Sequence, residues 1–164
     1  MGPPVGTAAA FGVTWRTMRE DDLAFAASVY ASTRTEELAV TGWPDEVKQA
    51  FLDQQHQAQH NHYQSHYPGA EWLVVERGGA PIGRLYLQEG ASDIRLIDIA
   101  LLPEHRGAGI GAAIIDDLLA WARALGKSVS LHVEPNNPVR RLYQRLGFVA
   151  GSMAGAYQRM DWKP

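Results

Sequence analysis

The chain has 164 residues, of which 46% are hydrophobic and 20% are charged, and its formal net charge is −3. This length fits one domain around one core, and the charge excludes the strongly basic surface with which proteins bind nucleic acids or acidic membranes. There is no cysteine, which excludes disulfides, thiolate metal sites and a cysteine nucleophile. A reducing compartment suits this composition, and we expect a cytoplasmic protein with no nucleic-acid or membrane partner.

The first residues lack the basic start and continuous apolar stretch of a signal peptide. No stretch approaches the roughly 20 apolar residues that a membrane span needs. We expect a flexible N-terminal tail at residues 1–12, followed by a single domain at 13–164.

Apolar periodicity and turn residues predict the secondary structure in chain order. The predicted elements are a strand at 13–18, a helix at 23–32, a helix from 45 to about 67, strands at 71–77 and 81–88, a strand at 94–102, a helix at 110–125, a strand at 128–133, a helix at 138–146 and a weak hairpin within 149–162. Gly78-Gly79 suits a hairpin turn, and Gly126 suits the end of a helix. The order predicts a mixed α/β sheet in which one helix crosses between adjacent parallel strands.

Residues 103–111, PEHRGAGIG, place three glycines before an apolar helix. Free N–H groups and the helix dipole make such a helix start an anion site, although a lone glycine-rich stretch also suits a plain tight turn. A P-loop is excluded because no Gly-Lys-Ser/Thr follows. The dinucleotide fingerprint matches at Gly107, Gly109 and Ala112, but four residues separate it from its strand and about 30 residues follow Glu134, too few for that fold.

Two motifs connect the second half of the chain with a known family. Arg106 to Gly111 fits Q/R-x-x-G-x-G/A, and Asn136 to Phe148 fits N-x-x-A-x-x-L-Y-x-x-x-G-F, with Val139 where alanine is usual. On these motifs the chain resembles the GNAT superfamily of acyl-CoA-dependent N-acetyltransferases over about residues 94–150. The resemblance implies a twisted mixed sheet of about seven strands with a splayed strand pair, flanked by about four helices.

The resemblance also implies a site for acetyl-CoA, without a metal, between the strands 94–102 and 128–133. The backbone near Ile99 and Leu101 would pair with the pantetheine arm, and Asn136 and Tyr143 would contact the cosubstrate. The pyrophosphate would lie on the loop formed by Arg106, Gly107, Ala108, Gly109, Ile110 and Gly111.

The family's usual reaction is direct attack of a neutral amine on the thioester, which requires a proton acceptor and a proton donor. Tyr143 matches the family's proton donor to the CoA sulfur, although it could instead be a packing tyrosine. Asp98 is a candidate base, or alternatively a structural partner of Arg95 or Arg84. Glu134 and His132 are further candidates, acting directly or through water. Glu134 could equally be a solvated loop acid, and His132 a hydrogen-bonded core residue, and the family does not place its base at one position.

The acceptor would lie against the helices between the first two strands. Its candidate contacts are Tyr30, Trp43, His62, Tyr63, His66 and His132. The pairs His56/His60 and His62/His66 have the spacing of metal ligands but project in different directions, so we expect a polar helix face and no metal.

The sequence therefore predicts an N-acetyltransferase that acts on a primary amine of a small molecule or peptide. The alternative is a catalytically silent acyl-CoA-binding sensor; the glycine loop fits both, whereas Tyr143 favours catalysis. A nicotinamide enzyme would instead bind NAD and not CoA. A homodimer is an expectation from family analogy alone.

Overall fold

The structure is a computed structural model that describes residues 2–164. Seven strands form one mixed sheet in the order β1-β2-β3-β4-β5-β7-β6. The strands are β1 Val13–Thr17, β2 Glu71–Arg77, β3 Ala80–Glu89, β4 Asp93–Leu101, β5 Ser128–Val133, β6 Val149–Ala154 and β7 Tyr157–Trp162. The helices are α1 Leu23–Ser32, α2 Thr35–Ala39, α3 Asp45–His66, α4 Ile110–Leu125 and α5 Arg140–Arg145.

The predicted fold class is confirmed, with five α-helices in place of about four. The additional helix is α2, which has five residues. It was missed because an isolated helix this short is not stable by itself and leaves almost no periodic signal in the sequence.

The parallel strands β4 and β5 are hydrogen-bonded only at one end. Their ladder joins Asp93–Arg95 to Ser128–Ser130, although both strands continue beyond it. The Asp93 carboxylate accepts hydrogen bonds from the hydroxyls of Ser128 and Ser130, at 2.8 and 2.7 Å, and holds that end closed. The strands separate beyond this point, which confirms the predicted splayed pair and leaves a wedge in the sheet.

Helix α4 connects the two splayed strands and packs against the sheet. Its apolar residues recur every three or four positions, so that Ile110, Ile114 and Leu118 lie on one buried face. The helix ends at Gly126, whose φ of 68° permits the left-handed cap. This packing holds the first turn of α4 at the open end of the wedge.

Residues 2–12 contain a short 3₁₀ helix, Thr7–Phe11, and we call them the N-terminal strap. The sequence analysis assigned residues 1–12 to a flexible tail, whereas in the structure the strap packs on α4, with Ala8 completely buried. Its backbone bonds the side chain of Asp117, more than 100 residues away, and a contact of that range leaves no local sequence signal.

Helix α3 has 22 residues, none of which is buried. It is an exposed, polar helix, as the sequence analysis expected for its His- and Gln-rich face. No helix among residues 2–164 combines the length and the apolar character needed to span a membrane.

Candidate active site

A cavity of about 780 Å³ occupies the wedge between β4 and β5. Of the eighteen candidate site residues of the sequence analysis, twelve line it: Tyr30, Tyr63, Asp98, Ile99, Leu101, Arg106, Gly107, Gly109, Gly111, His132, Glu134 and Tyr143. Six others lie outside the lining: Trp43, His62, His66, Ala108, Ile110 and Asn136. The cavity therefore combines the glycine loop, the three candidate catalytic residues and part of the predicted acceptor site.

The glycine loop presents a continuous row of free backbone donors. Within residues 2–164, the N–H groups from Gly107 to Ala112 have no hydrogen-bond partner, and the first bond of α4 runs from Ala113 N–H to Gly109 O at 3.0 Å. The N–H of Arg106 is already bonded to Pro103 O at 3.2 Å. The donors that face a ligand therefore begin at Gly107, and together with the helix dipole they form an anion site.

The glycines leave space beside these donors. Gly107 and Gly109 have φ values of 76° and 89°, which residues with a Cβ rarely adopt. A Cβ at Gly107 or Gly111 would meet no protein atom within 4 Å, so the space beside the backbone is open. Free donors beside open space fit an anionic group such as a pyrophosphate.

The Arg106 side chain holds the loop on the rest of the fold. Its Nε donates to Leu101 O at 2.9 Å, at the end of β4, and its Nη2 donates to Ser32 Oγ at 3.0 Å, at the end of α1. The guanidinium thus has protein partners and acts in the structure as an anchor between loop, strand and helix.

Tyr143 is buried on α5, and its ring lies 5.4 Å from that of Phe148. Burial, with the nearby negative charge of Asp98, raises the pKa of the phenol well above its ordinary value. The side chain therefore keeps its proton at neutral pH, which a proton donor requires. It lines the same cavity as the glycine loop.

Asp98 forms an ion pair with Arg84, whose Nη2 lies 2.5 Å from Asp98 Oδ2. Arg84 comes from β3, is 2% exposed and donates from Nη2 to Gln59 Oε1 at 2.8 Å. Asp98 contacts Arg84 and not Arg95, because β3 pairs with β4 there and Arg95 contacts the His132 ring instead. The structure therefore contains the ion pair that the sequence analysis held as one alternative for Asp98.

Glu134 directly follows β5 and is exposed to the cavity. Within the described residues, its carboxylate takes part in no hydrogen bond or ion pair. His132 lies two residues earlier on the same face of β5, and its ring is bonded to Arg95. Glu134 is therefore an acid of the cavity whose carboxylate has no side-chain partner within the described residues.

The acceptor side of the cavity is lined by tyrosines and paired charges. Tyr30 and Tyr63 are there as expected, whereas Trp43 packs edge-on against Phe51, with ring centroids 5.4 Å apart. The His62 and His66 rings contact each other on α3, away from the cavity, with their centroids 3.9 Å apart. Among residues 2–164, no three His, Asp or Glu side chains cluster closely enough to hold a metal ion.

Sequence reasoning missed several lining residues and placed one contact a single position away from the residue that makes it. Asn137 lines the cavity where Asn136 was expected, and its side chain accepts from Val139 N–H at 3.0 Å. Gln59 and Tyr157 also line the cavity but stand in polar stretches that carry no distinctive pattern. Arg84 carried a usable signal, since it is a charge in the middle of β3, whose other charged residue, Glu89, is at the end of the strand.

Comparisons with known proteins agree with this geometry. A protein from Bacillus subtilis (strain 168), provisionally named as a ribosomal protein bS18-alanine N-acetyltransferase, is 27% identical over 92 residues, which cover 55% of this chain and 61% of the relative's own length. The matched part therefore spans less than two thirds of that relative.

Two solved structures share the fold. The PaiA N-acetyltransferase of Thermoplasma acidophilum, solved in complex with coenzyme A, has a TM-score of 0.69 and 18% identity, covering 93% of this chain and 99% of that one. An acetyltransferase from Thermus thermophilus has a TM-score of 0.67 and 17% identity, covering 93% and 97%. The sequence model of the acetyltransferase (GNAT) family matches residues 32–148, which is more than half of the chain. The chain belongs to the GNAT acetyltransferase family.

Proposed function

We propose that this protein transfers an acetyl group from acetyl-CoA to a primary amine by direct attack of the amine on the thioester. One observation carries the proposal: the free N–H groups of residues 107–112 and the buried hydroxyl-bearing side chain of Tyr143 open onto the same cavity. An anion site and a protonated acid in one cleft are what this reaction requires.

The glycine loop is proposed to bind the pyrophosphate through its backbone donors. The exposed backbone of β4 near Ile99 and Leu101 is proposed to pair with the pantetheine arm, because β4 has no partner strand beyond Arg95 on that side. These contacts would orient the thioester toward the acceptor side of the wedge.

The protons are proposed to move through Glu134 and Tyr143. As the amine nitrogen bonds to the acetyl carbon, Glu134 accepts an amine proton, directly or through a water molecule. Tyr143 donates its proton to the sulfur as the carbon–sulfur bond breaks, so that CoA leaves as a neutral thiol. Asp98, held by Arg84, is proposed to orient the amine by accepting a hydrogen bond instead of removing its proton.

The acceptor to test first is a peptide that begins with alanine. The Bacillus subtilis relative is named for an alanine of a ribosomal protein, and this supports a peptide amine over other classes. A small polyamine and a free amino acid are useful comparisons in the same assay.

Calorimetry with acetyl-CoA, followed by an assay of CoA thiol release with these amines, tests the proposal. Binding with amine-dependent thiol release is the expected result. Binding without turnover for any amine would instead identify a sensor of acyl-CoA, and absence of binding would refute the assignment of the loop.

A further inference from the structure

The N-terminal strap contacts α4 at two places that flank the first two turns of the helix. One is the Asp117 side chain, and the other is Gly109, the residue that precedes the helix. Because α4 begins at the glycine loop, the strap lies next to the proposed pyrophosphate site.

Asp117 anchors the strap. Its carboxylate is 4% exposed and accepts backbone hydrogen bonds from Gly6, Thr7 and Ala8 at 3.0, 2.6 and 3.1 Å. Burying a carboxylate costs free energy unless it is hydrogen-bonded. These three bonds offset the desolvation of the Asp117 carboxylate. The same three donors start the 3₁₀ helix of the strap, which Asp117 therefore caps from another element.

Phe11 lies at the other end of this 3₁₀ helix, and its ring lies beside the loop. A Cβ placed on Gly109 would lie 3.5 Å from Phe11 Cζ, so the ring borders the space on that side of Gly109. The position of Phe11 is held from both sides, because its carbonyl accepts from Arg77 Nε at 3.1 Å and the preceding residues are bonded to Asp117.

The loop has few bonds of its own. The N–H groups of Gly107, Ala108 and Gly109 have no partner within the described residues, and glycine is the most flexible residue in an unrestrained chain. Such a loop loses conformational entropy when it binds a ligand, unless its surroundings already hold it in the bound conformation.

We propose that the N-terminal strap pre-orders the glycine loop and that Phe11 is a positioning residue that raises the affinity for acyl-CoA. The inference rests on the proposed function only in taking acyl-CoA as the ligand of the loop. Phe11 lies beside the loop and does not line the cavity, so it acts on the free energy of binding.

Calorimetry with CoA on the full chain tests this role. Phe11→Ala should raise the Kd for CoA about 10-fold, since ordering costs of this size are typical of a released loop. Phe11→Leu, which keeps part of the apolar contact, should raise it about 3-fold. Phe51→Ala, which removes the same side chain from α3 outside the cavity, is the matched control and should bind CoA as the unmodified protein does.

Amide hydrogen exchange supplies a readout that a general loss of stability would not produce. In the ligand-free Phe11→Ala protein, exchange should accelerate at Ala113, whose N–H is bonded to Gly109 O of the loop, and stay unchanged in β5. Unchanged Kd values in both Phe11 variants would overturn the proposal, as would an equal acceleration across β5. If the unmodified protein failed to bind CoA, the proposed function would fail instead, so the two failures are distinguishable.

Discussion

Substitutions of Gly111 separate the ligand role of the loop from its role in folding. Gly111 is the second residue of α4, has a negative φ, and a Cβ there would meet no protein atom within 4 Å. Alanine in a helix is more favourable than glycine by about 0.5–1 kcal/mol, so the free energy of unfolding should rise by about that amount.

A larger side chain at the same position should weaken CoA binding, whereas alanine should not, because the motif Q/R-x-x-G-x-G/A admits alanine there. In Gly111→Leu the side chain fills the open space beside the free donors, and displacing the pyrophosphate from one of them costs about 1.5–3 kcal/mol, the value of a hydrogen bond to a charged group. The Kd for CoA should therefore rise at least about 10-fold in Gly111→Leu and stay unchanged in Gly111→Ala.

Thermal unfolding and calorimetry on the same sample measure both quantities. Gly69→Leu is the matched control, because Gly69 also has a negative φ and lies outside the cavity, where a Cβ would lie 3.4 Å from Gln88 Nε2. It should leave the Kd unchanged. A folded Gly111→Leu protein with an unaltered Kd would show that no ligand lies against the start of α4.

The other predictions concern proton transfer and pH. Tyr143→Phe should lower kcat by about 10²-fold or more and leave the Kd for CoA almost unchanged, since a general acid contributes about that much; an undiminished kcat would remove Tyr143 as the donor. Glu134→Gln should lower kcat, whereas Asp98→Asn should mainly raise KM; the reverse pattern would make Asp98 the base. Hydrogen bonds from Arg16, at 2.8 and 2.9 Å, lower the pKa of Asp22 to about 2. A lowered pKa stabilises the folded state above the unfolded pKa of about 4, so this contribution should disappear between pH 4 and pH 2. An Asp22→Asn protein should show a shallower decline over that window in acid titrations followed by circular dichroism.

The elements with strong local patterns were predictable. Helix α4 has apolar residues at helical spacing, a glycine-rich start and a glycine stop, and the structure places it within the predicted bounds. The hairpin of β2 and β3 likewise has two glycines with positive φ at its turn, as the sequence indicated. These features depend on residues close together in the chain, so their signals can be read from the sequence alone.

The acceptor side of the site was less predictable. Trp43 and the His62/His66 pair were expected there because they lie between the first two strands. Trp43 instead precedes α3 and packs against Phe51, and the two histidines lie on a face of α3 that does not line the cavity. A polar helix with no buried residue has no apolar face that would indicate its rotation against the sheet. The sequence therefore located the right helix without indicating which of its faces would contact the cavity.

By itself, the sequence determined the glycine loop ahead of α4 and the position of Tyr143 in its motif, because each depends on residue types at short fixed spacing. Only the tertiary structure decided that Asp98 pairs with Arg84, because the register of β3 against β4 brings them together. It also decided that the strap is held on α4 by Asp117, whose partners lie more than 100 residues away. The physical reason is the same in both cases: a buried charge is stabilised by whichever groups the completed fold brings within hydrogen-bond distance, and these are not its neighbours in the chain.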